Sequence, residues 1–209
     1  NPKSNCLYLE ILIVLSIFIL FPFTIFKKLI ECTFQISSGC FEIFNKANIH
    51  SAKMAEFIKI SEDPQAKKIL NGFKLISLTV KNSETGEKVW QSQNWGPEVF
   101  TEVKEAHFPK AVLGFPAVGR EIVFSTEEVI RDFHIQQDIM VHGKQIECWK
   151  YEFGFVMPGS ENSWETIVQS AGEGKMLPAQ YLSGNMFILT SFYSGQLLIS
   201  RSVVRVFYE

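Results

Sequence analysis

Glu147-Cys148-Trp149-Lys150-Tyr151-Glu152-Phe153-Gly154-Phe155-Val156-Met157-Pro158 reads as one long β-strand. Glu147, Trp149, Tyr151, Phe153, Phe155 and Met157 fall at every second position, and successive strand side chains point to opposite faces. The aromatics therefore share one face, while Lys150, Glu152 and Gly154 take the other. Period-two alternation with aromatic enrichment marks a half-buried strand. Pro158 and Gly159 stop it. A face of bulky rings needs an apolar partner, either an opposing sheet or a ligand.

Working outward, the preceding run Phe133 to Val141 pairs with this strand across His142-Gly143-Lys144-Gln145. Phe73 to Val80 forms an earlier strand. Glu84-Thr85-Gly86 turns it, and Lys88-Val89-Trp90-Gln91 returns. Asn94 to Pro97 is a loop, Val99 to Pro109 is extended, and Leu113 to Phe124 is a strand region broken by Pro116. Met186 to Tyr193 and Leu197 to Tyr208 form a hairpin bent at Ser194-Gly195. Ser61-Glu62-Asp63-Pro64 opens a short helix, with Asp63 as N-cap, Pro64 at the first helical position and Gly72 at its end. Ser125-Thr126-Glu127-Glu128 resembles a second helical start, and Ser163 to Val168 a third short helix. Eight or nine strands at this spacing predict an all-β fold, an antiparallel sandwich.

The chain of 209 residues has room for one sizeable domain with an appendage. A net charge of -2 carries no footprint of nucleic-acid binding. Hydrophobic residues make up 46%, with 19 Phe, which suits a β core. Of the four cysteines, Cys6, Cys32 and Cys40 lie in the first forty residues and only Cys148 lies in the β-rich region. That leaves no disulfide framework there, and no Asn-x-Ser/Thr sequon occurs, so both features lean towards a reducing compartment.

Residues 1–53 stand apart. Ile11 to Phe26 is free of charge and is followed by Lys27 and Lys28, but the run is shorter than the ~20 residues a membrane helix needs. It reads as a signal anchor, as a signal-peptide core lacking an A-x-A-like cleavage site, or as a segment extraneous to the working protein. Met54 is a candidate start, so the expectation is a working domain over 54–209.

His134, Asp138 and His142 are spaced like helical metal ligands. The clean apolar set Ile135, Ile139 and Val141 emerges only if the segment is a strand, which puts both histidines on a solvated face. There is no Gly-x-Ser-x-Gly elbow and no phosphate loop, and Gly172-Glu173-Gly174-Lys175 fits neither glycine fingerprint. More informative are polar residues on apolar faces. Arg120 interrupts Val118, Ile122 and Phe124. Gln137 interrupts Ile135, Ile139 and Val141, and Glu147 heads the aromatic face. Each can reach water at a strand end, or they can satisfy one another. Together they also fit the polar mouth of an apolar space between two sheets, taking a ligand with an apolar tail and a polar end. Trp90, Trp149, Phe192 and Tyr208 are core residues by default. Met176 and Leu177, in a Gly-rich connection before Pro178, suit a flexible gate.

Lys68 to Leu75, Glu84-Thr85-Gly86, Ala117-Val118-Gly119-Arg120-Glu121, Tyr151 to Pro158 with Trp164, and Ser183-Gly184-Asn185 followed by Val204 to Tyr208 together resemble the delta-subunit family of rod cGMP phosphodiesterase, the prenyl-binding proteins. The resemblance runs from about Ser61 to Tyr208, and residues 1–53 have no counterpart in it. It implies an immunoglobulin-like β-sandwich with a hydrophobic intersheet pocket, and no catalysis, cofactor or metal. It implies a cytoplasmic carrier of farnesylated or geranylgeranylated proteins, prenylated small GTPases among them, with ciliary or membrane-associated pools. GTP-bound Arf-like GTPases would release the cargo. Its polar mouth positions match Arg120, Gln137, Glu147 and Tyr208. Its pocket wall matches Val118, Ile122, Ile139, Trp149, Val168, Met176, Leu177, Leu182, Ile188, Phe192, Val204 and Val206, with Leu78 and Trp90 towards the other end. The chain departs from the family at the Asn94 to Val103 loop, at Phe115 near the entrance, and at Glu209 in place of an apolar terminus. These departures bear on cargo preference. A carrier of myristoyl chains is the nearest alternative, a membrane-anchored immunoglobulin-like module is another, and an enzyme lacks a nucleophile–base pair.

Overall fold

The computed structural model describes residues 53–92, 95–171 and 176–209. The segment 1–52 and the Gly172–Lys175 glycine run lie outside the described residues. Ten strands, β1 to β10, form two packed sheets. The larger contains β1 (Lys59–Ile60), β10 (Leu197–Tyr208), β9 (Met186–Ser194), β6 (Ile130–Val141) and β7 (Lys144–Val156) in that order, with β4 (Lys104–Phe108) also paired to β10. The smaller runs β3 (Lys88–Gln91), β2 (Phe73–Asn82), β5 (Ala117–Thr126) and β8 (Ser160–Gln169). All pairings are antiparallel except β4 with β10, which is parallel over Val204↔Lys104 to Tyr208↔Phe108. Sheet on sheet with apolar inner faces is the immunoglobulin-like sandwich expected.

One helix, α1 (Pro64–Gly72), begins where its cap demands. Asp63 Oδ1 accepts the backbone N–H of Gln65 at 2.8 Å and of Ala66 at 3.1 Å, and Pro64 supplies a first-turn position that needs no donor. Ala66 and Ile69 form its buried side, and Ile69 closes one end of the sandwich against the aromatic core. A second, one-turn helix, α2 (Ala179–Leu182), precedes β9.

The β6–β7 hairpin turns at His142 and Gly143, between the paired Val141 and Lys144. Both turn residues have positive φ, 49° and 76°, as a two-residue turn matched to the strand twist requires. His142, His134 and Asp138, whose spacing would suit metal ligands only on a helix, engage different partners. His142 packs edge-on to Tyr181, His134 stacks on Tyr193, and Asp138 accepts from Gln136 and Gln145.

Several sequence expectations change. The strand region expected from Leu113 begins only at Ala117, after a 3-10 turn over Lys110–Gly114. The shared aromatic face of β7 does not run its full length, because the ladder slips between Glu152 and Gly154, which has a φ of 101°. The bulge inverts the alternation. Val156 becomes fully buried, while Phe155 and Met157 are 55% and 62% exposed. Ser163 to Val168 is not a helix but part of β8, in register with β5 from Ala117↔Gln169 to Thr126↔Ser160. Its inward Trp164, Thr166 and Val168 follow period two, and a full ladder of partner hydrogen bonds outweighs a weak helical preference. Ser125 to Glu128 does not start a helix, because β5 extends through Thr126. The Thr126 hydroxyl then ties the turn, donating to Glu128 O and accepting from Glu128 N. The extended region expected from Val99 opens as a 3-10 turn (Pro97–Phe100) before β4.

The inner space has two parts. At one end Phe73, Phe100, Phe124, Phe133 and Phe192 pack ring on ring, with centroids of Phe124 and Phe133 5.2 Å apart and of Phe73 and Phe124 5.5 Å apart. One step along the same strands the rings give way to smaller and polar side chains, and a cavity begins. A separate cluster covers the outer face of the larger sheet, where Met54, buried to 3% exposure, packs with Phe187, Leu189 and Val203.

Candidate functional site: an intersheet cavity with a polar bridge

The cavity measures about 80 Å³ and lies between the sheets. Leu78, Val80, Arg120, Ile122 and Thr166 line it from the smaller sheet. Ile135, Gln137, Ile188, Thr190, Val204, Ala106 and Phe108 line it from the larger, with Trp95 from the loop after β3. These residues arrive together because each is an inward position of its strand, and register puts Leu78 beside Ile122, Val80 beside Arg120, and Gln137 beside Thr190.

Polar contact crosses the gap at one level. Arg120 Nη1, from β5, donates to Gln137 Oε1, from β6, at 2.7 Å, and Gln137 Nε2 donates to Thr190 Oγ1 at 3.0 Å. The Arg120 guanidinium stands 5.0 Å from the Tyr151 ring centroid, a cation–π arrangement. Arg120 has no carboxylate partner among the described residues, and its buried Nε has no hydrogen-bond partner there. A part-buried cation facing an apolar cavity with only neutral neighbours favours a ligand that brings an acceptor oxygen.

The predicted residues separate into groups. Arg120, Gln137, Leu78, Ile122, Ile188 and Val204 line the cavity itself. Val118, paired with Val168, and Ile139, paired with Glu147 and Ile188, sit one inward position further from the aromatic core. Glu147 accepts the indole N–H of Trp149 at 2.7 Å, on an exposed part of β7. Tyr208 packs near Phe108, 6.1 Å between ring centroids, and its hydroxyl faces Met186 Sδ at 3.8 Å. Burial pushes the Tyr208 hydroxyl up to about 12, so it stays a neutral donor. Trp90 stands behind the wall, edge-on to Phe108 and Trp95. Val206 and Leu182 are buried outside the lining. Met176 and Leu177 follow the Gly172–Lys175 run in the chain and do not line the cavity. Phe192 does not line it either. It packs edge-on to Phe73 and Phe100, so it belongs to the solid end of the core.

The cavity also takes residues the sequence reading left out. Val80, Ile135 and Thr190 share strand parity with Leu78, Gln137 and Ile188, so alternation carried the signal. Ala106, Phe108 and Trp95 had none, because the parallel β4–β10 pairing and the loop that brings in Trp95 are long-range. Nothing in the site collects metal donors, and among the described residues no three His, Cys, Asp or Glu side chains come together. Cys148 is exposed on β7, and its thiol is held up at about 11, by partial desolvation first and then by Asp138.

The family described as GMP-PDE, delta subunit, matches residues 67–208, which include every strand from β2 to β10.

Proposed function

The chain belongs to the GMP-PDE delta-subunit family, and from that premise we propose that it is a non-catalytic carrier that shields the prenyl tail of lipidated proteins in its intersheet cavity. The family supports prenyl binding as a class. The finer reading is that the cargo is farnesylated or geranylgeranylated proteins, prenylated small GTPases included, and that GTP-bound Arf-like GTPases discharge it. The observation that carries the proposal is Arg120 at the side of an apolar cavity, without a carboxylate partner among the described residues and bridged to neutral Gln137. Arg120, Gln137, Glu147 and Tyr208 would meet the polar end of the cargo and the apolar wall its tail. Tail-binding pockets run to ~300 Å³ or more, so the wall must part around a tail, and the wall residues beyond the present lining would be recruited as it does. A C15 tail offers about 0.8 kcal/mol per methylene-sized group, ~10 kcal/mol gross. Association and ordering remove several kcal/mol, which leaves micromolar to nanomolar affinity.

Titration with a fluorescent farnesylated, methylated peptide tests this. Binding should be saturable, an unprenylated copy should not bind, and GTP-loaded Arf-like GTPase should speed release relative to the GDP-loaded form. Equal binding of both peptides would sink the carrier reading, and equal release rates would sink the GTPase mechanism. A myristoylated peptide that binds more tightly than the farnesylated one would favour an acyl carrier.

The working domain is proposed to be 54–209. Met54 seals the outer cluster with Phe187, Leu189 and Val203, so a chain starting there keeps every described contact of β1 to β10. It is expected to unfold cooperatively and to bind the farnesylated peptide like the full chain. Aggregation of the shortened chain, with binding retained only by the full one, would refute this boundary.

A further inference from the structure

Tyr151 carries a hydroxyl that the fold itself does not use. It is an inward residue of β7 that packs against the aromatic core just outside the cavity lining, paired with the cavity-lining Ile135, and its ring lies under the guanidinium of Arg120, which lines the cavity. Its oxygen is buried and has no hydrogen-bond partner among the described residues. A phenylalanine would give the same ring, the same packing and the same cation–π contact. The added hydroxyl therefore costs desolvation and returns nothing within the protein. Buried polar groups that persist without a partner call for a specific explanation. Here a second orphan, Arg120 Nε, belongs to the very side chain that covers the ring. Both orphans can donate, and one of them is cationic. Together they fit an acceptor-only oxygen, the carbonyl of an ester or a carboxylate.

We propose that Tyr151 is a specificity-determining residue of the cavity, whose hydroxyl donates, beside Arg120, to the terminal ester or carboxylate oxygen of the lipidated ligand. This rests on the carrier reading above and adds to it a selection for the chemistry at the polar end. The tail supplies affinity, and the Tyr151–Arg120 pair separates a ligand with a carbonyl next to the lipidated cysteine from one without.

The test uses the full chain and its Tyr151→Phe variant, which keeps the ring over which Arg120 stands. Two probes are titrated: dansylated S-farnesyl-cysteine methyl ester, and dansylated S-farnesyl-cysteamine, which has the same tail and fluorophore but no ester carbonyl. A dansylated farnesyl-cysteine with a free carboxylate distinguishes the acid from the ester as the preferred source of the oxygen. Tyr151→Phe is expected to weaken the ester or acid probe about five- to twentyfold and to change the cysteamine probe less than twofold. The ligand-free variant should melt at or above the wild-type temperature, because it loses an unsatisfied buried hydroxyl. Unchanged affinity for all probes, an equal loss on all three, or a lowered melting temperature in the free protein would each overturn the assignment to Tyr151 and leave the carrier reading standing. If the wild-type chain binds none of the probes, the carrier reading falls and this assignment falls with it.

Discussion

Val204→Trp is expected to lower affinity for a farnesylated, methylated peptide by at least a hundredfold while the protein keeps its β-rich circular dichroism and a single cooperative unfolding transition. Val204 sits on β10 between Ile188 of β9 and Lys104 of β4, so its backbone is fixed from both sides. Its side chain has one direction open to it, the cavity of about 80 Å³. An indole there takes the space in which a tail would begin to lodge, and the tail supplies most of the binding energy. The protein itself bears less. Overfilling a well-packed site costs ~1–3 kcal/mol, whereas a domain of this kind has ~5–15 kcal/mol in hand, and here part of the indole enters empty space. The aromatic end around Phe124 and Phe133 is one layer away and keeps its own packing. Titration and thermal melting of the purified variant check both halves. Affinity within threefold of wild type would remove the intersheet cavity as the lipid site. Loss of cooperative unfolding would instead show that Val204 belongs to the core that holds the sheets together.

Arg120→Ala is expected to weaken the same peptide about ten- to a hundredfold, because a hydrogen bond from a charged donor contributes ~1.5–3 kcal/mol. The change removes the cross-cavity bond to Gln137 Oε1, but Gln137 stays anchored to Thr190 through its amide nitrogen. Less stability than affinity should be lost: truncation removes a charge-assisted hydrogen bond to Gln137 and the contact over Tyr151, and it also relieves the desolvation of a part-buried cation without a carboxylate partner among the described residues. Arg120→Lys sharpens the reading. It keeps the charge but replaces a planar fork lying over Tyr151 with a compact ammonium, so it should recover only part of the affinity. A titration in which Arg120→Ala binds within twofold of wild type would show that the Arg120–Gln137 bridge is structural bracing and not a ligand contact.

The two variants probe parts of the site that differed in legibility. Arg120 and Gln137 stood out because each broke a period-two apolar face, which a linear string displays directly. That they could satisfy one another was one reading of the string; that Arg120 and Gln137 do so, from strands in different sheets, is decided by the fold. Tyr151 was quoted within the deciding strand, but as one ring among several. Its distinction is an unpartnered oxygen, a property of the space around it. Phe192 shows the opposite case. It shares an inward face with Ile188, as a wall residue should, yet it lies in the filled end among Phe73, Phe100 and Phe133.

The sequence by itself determined most of the strands, the inward faces of β2, β5, β6, β9 and β10, and the start of α1. These follow from local chemistry: the two-residue pleat repeat, and an Asp–Pro cap that satisfies the first amides of a helix. Tertiary structure alone decided where alternation fails, as at Gly154, where a bulge opposite β6 turns Phe155 outward and Val156 inward. It also decided that β4 joins β10 in parallel, carrying Ala106 and Phe108 to the cavity, and that Ser163 to Val168 is a strand because β5 offers it a ladder. Above all it decided which layer of the sandwich is solid and which is hollow. A strand's face is fixed by its own residues, but free volume is the difference between the gap that two sheets leave and the side chains that both send into it. Each sheet is assembled from strands distant in sequence, so no single stretch holds that difference.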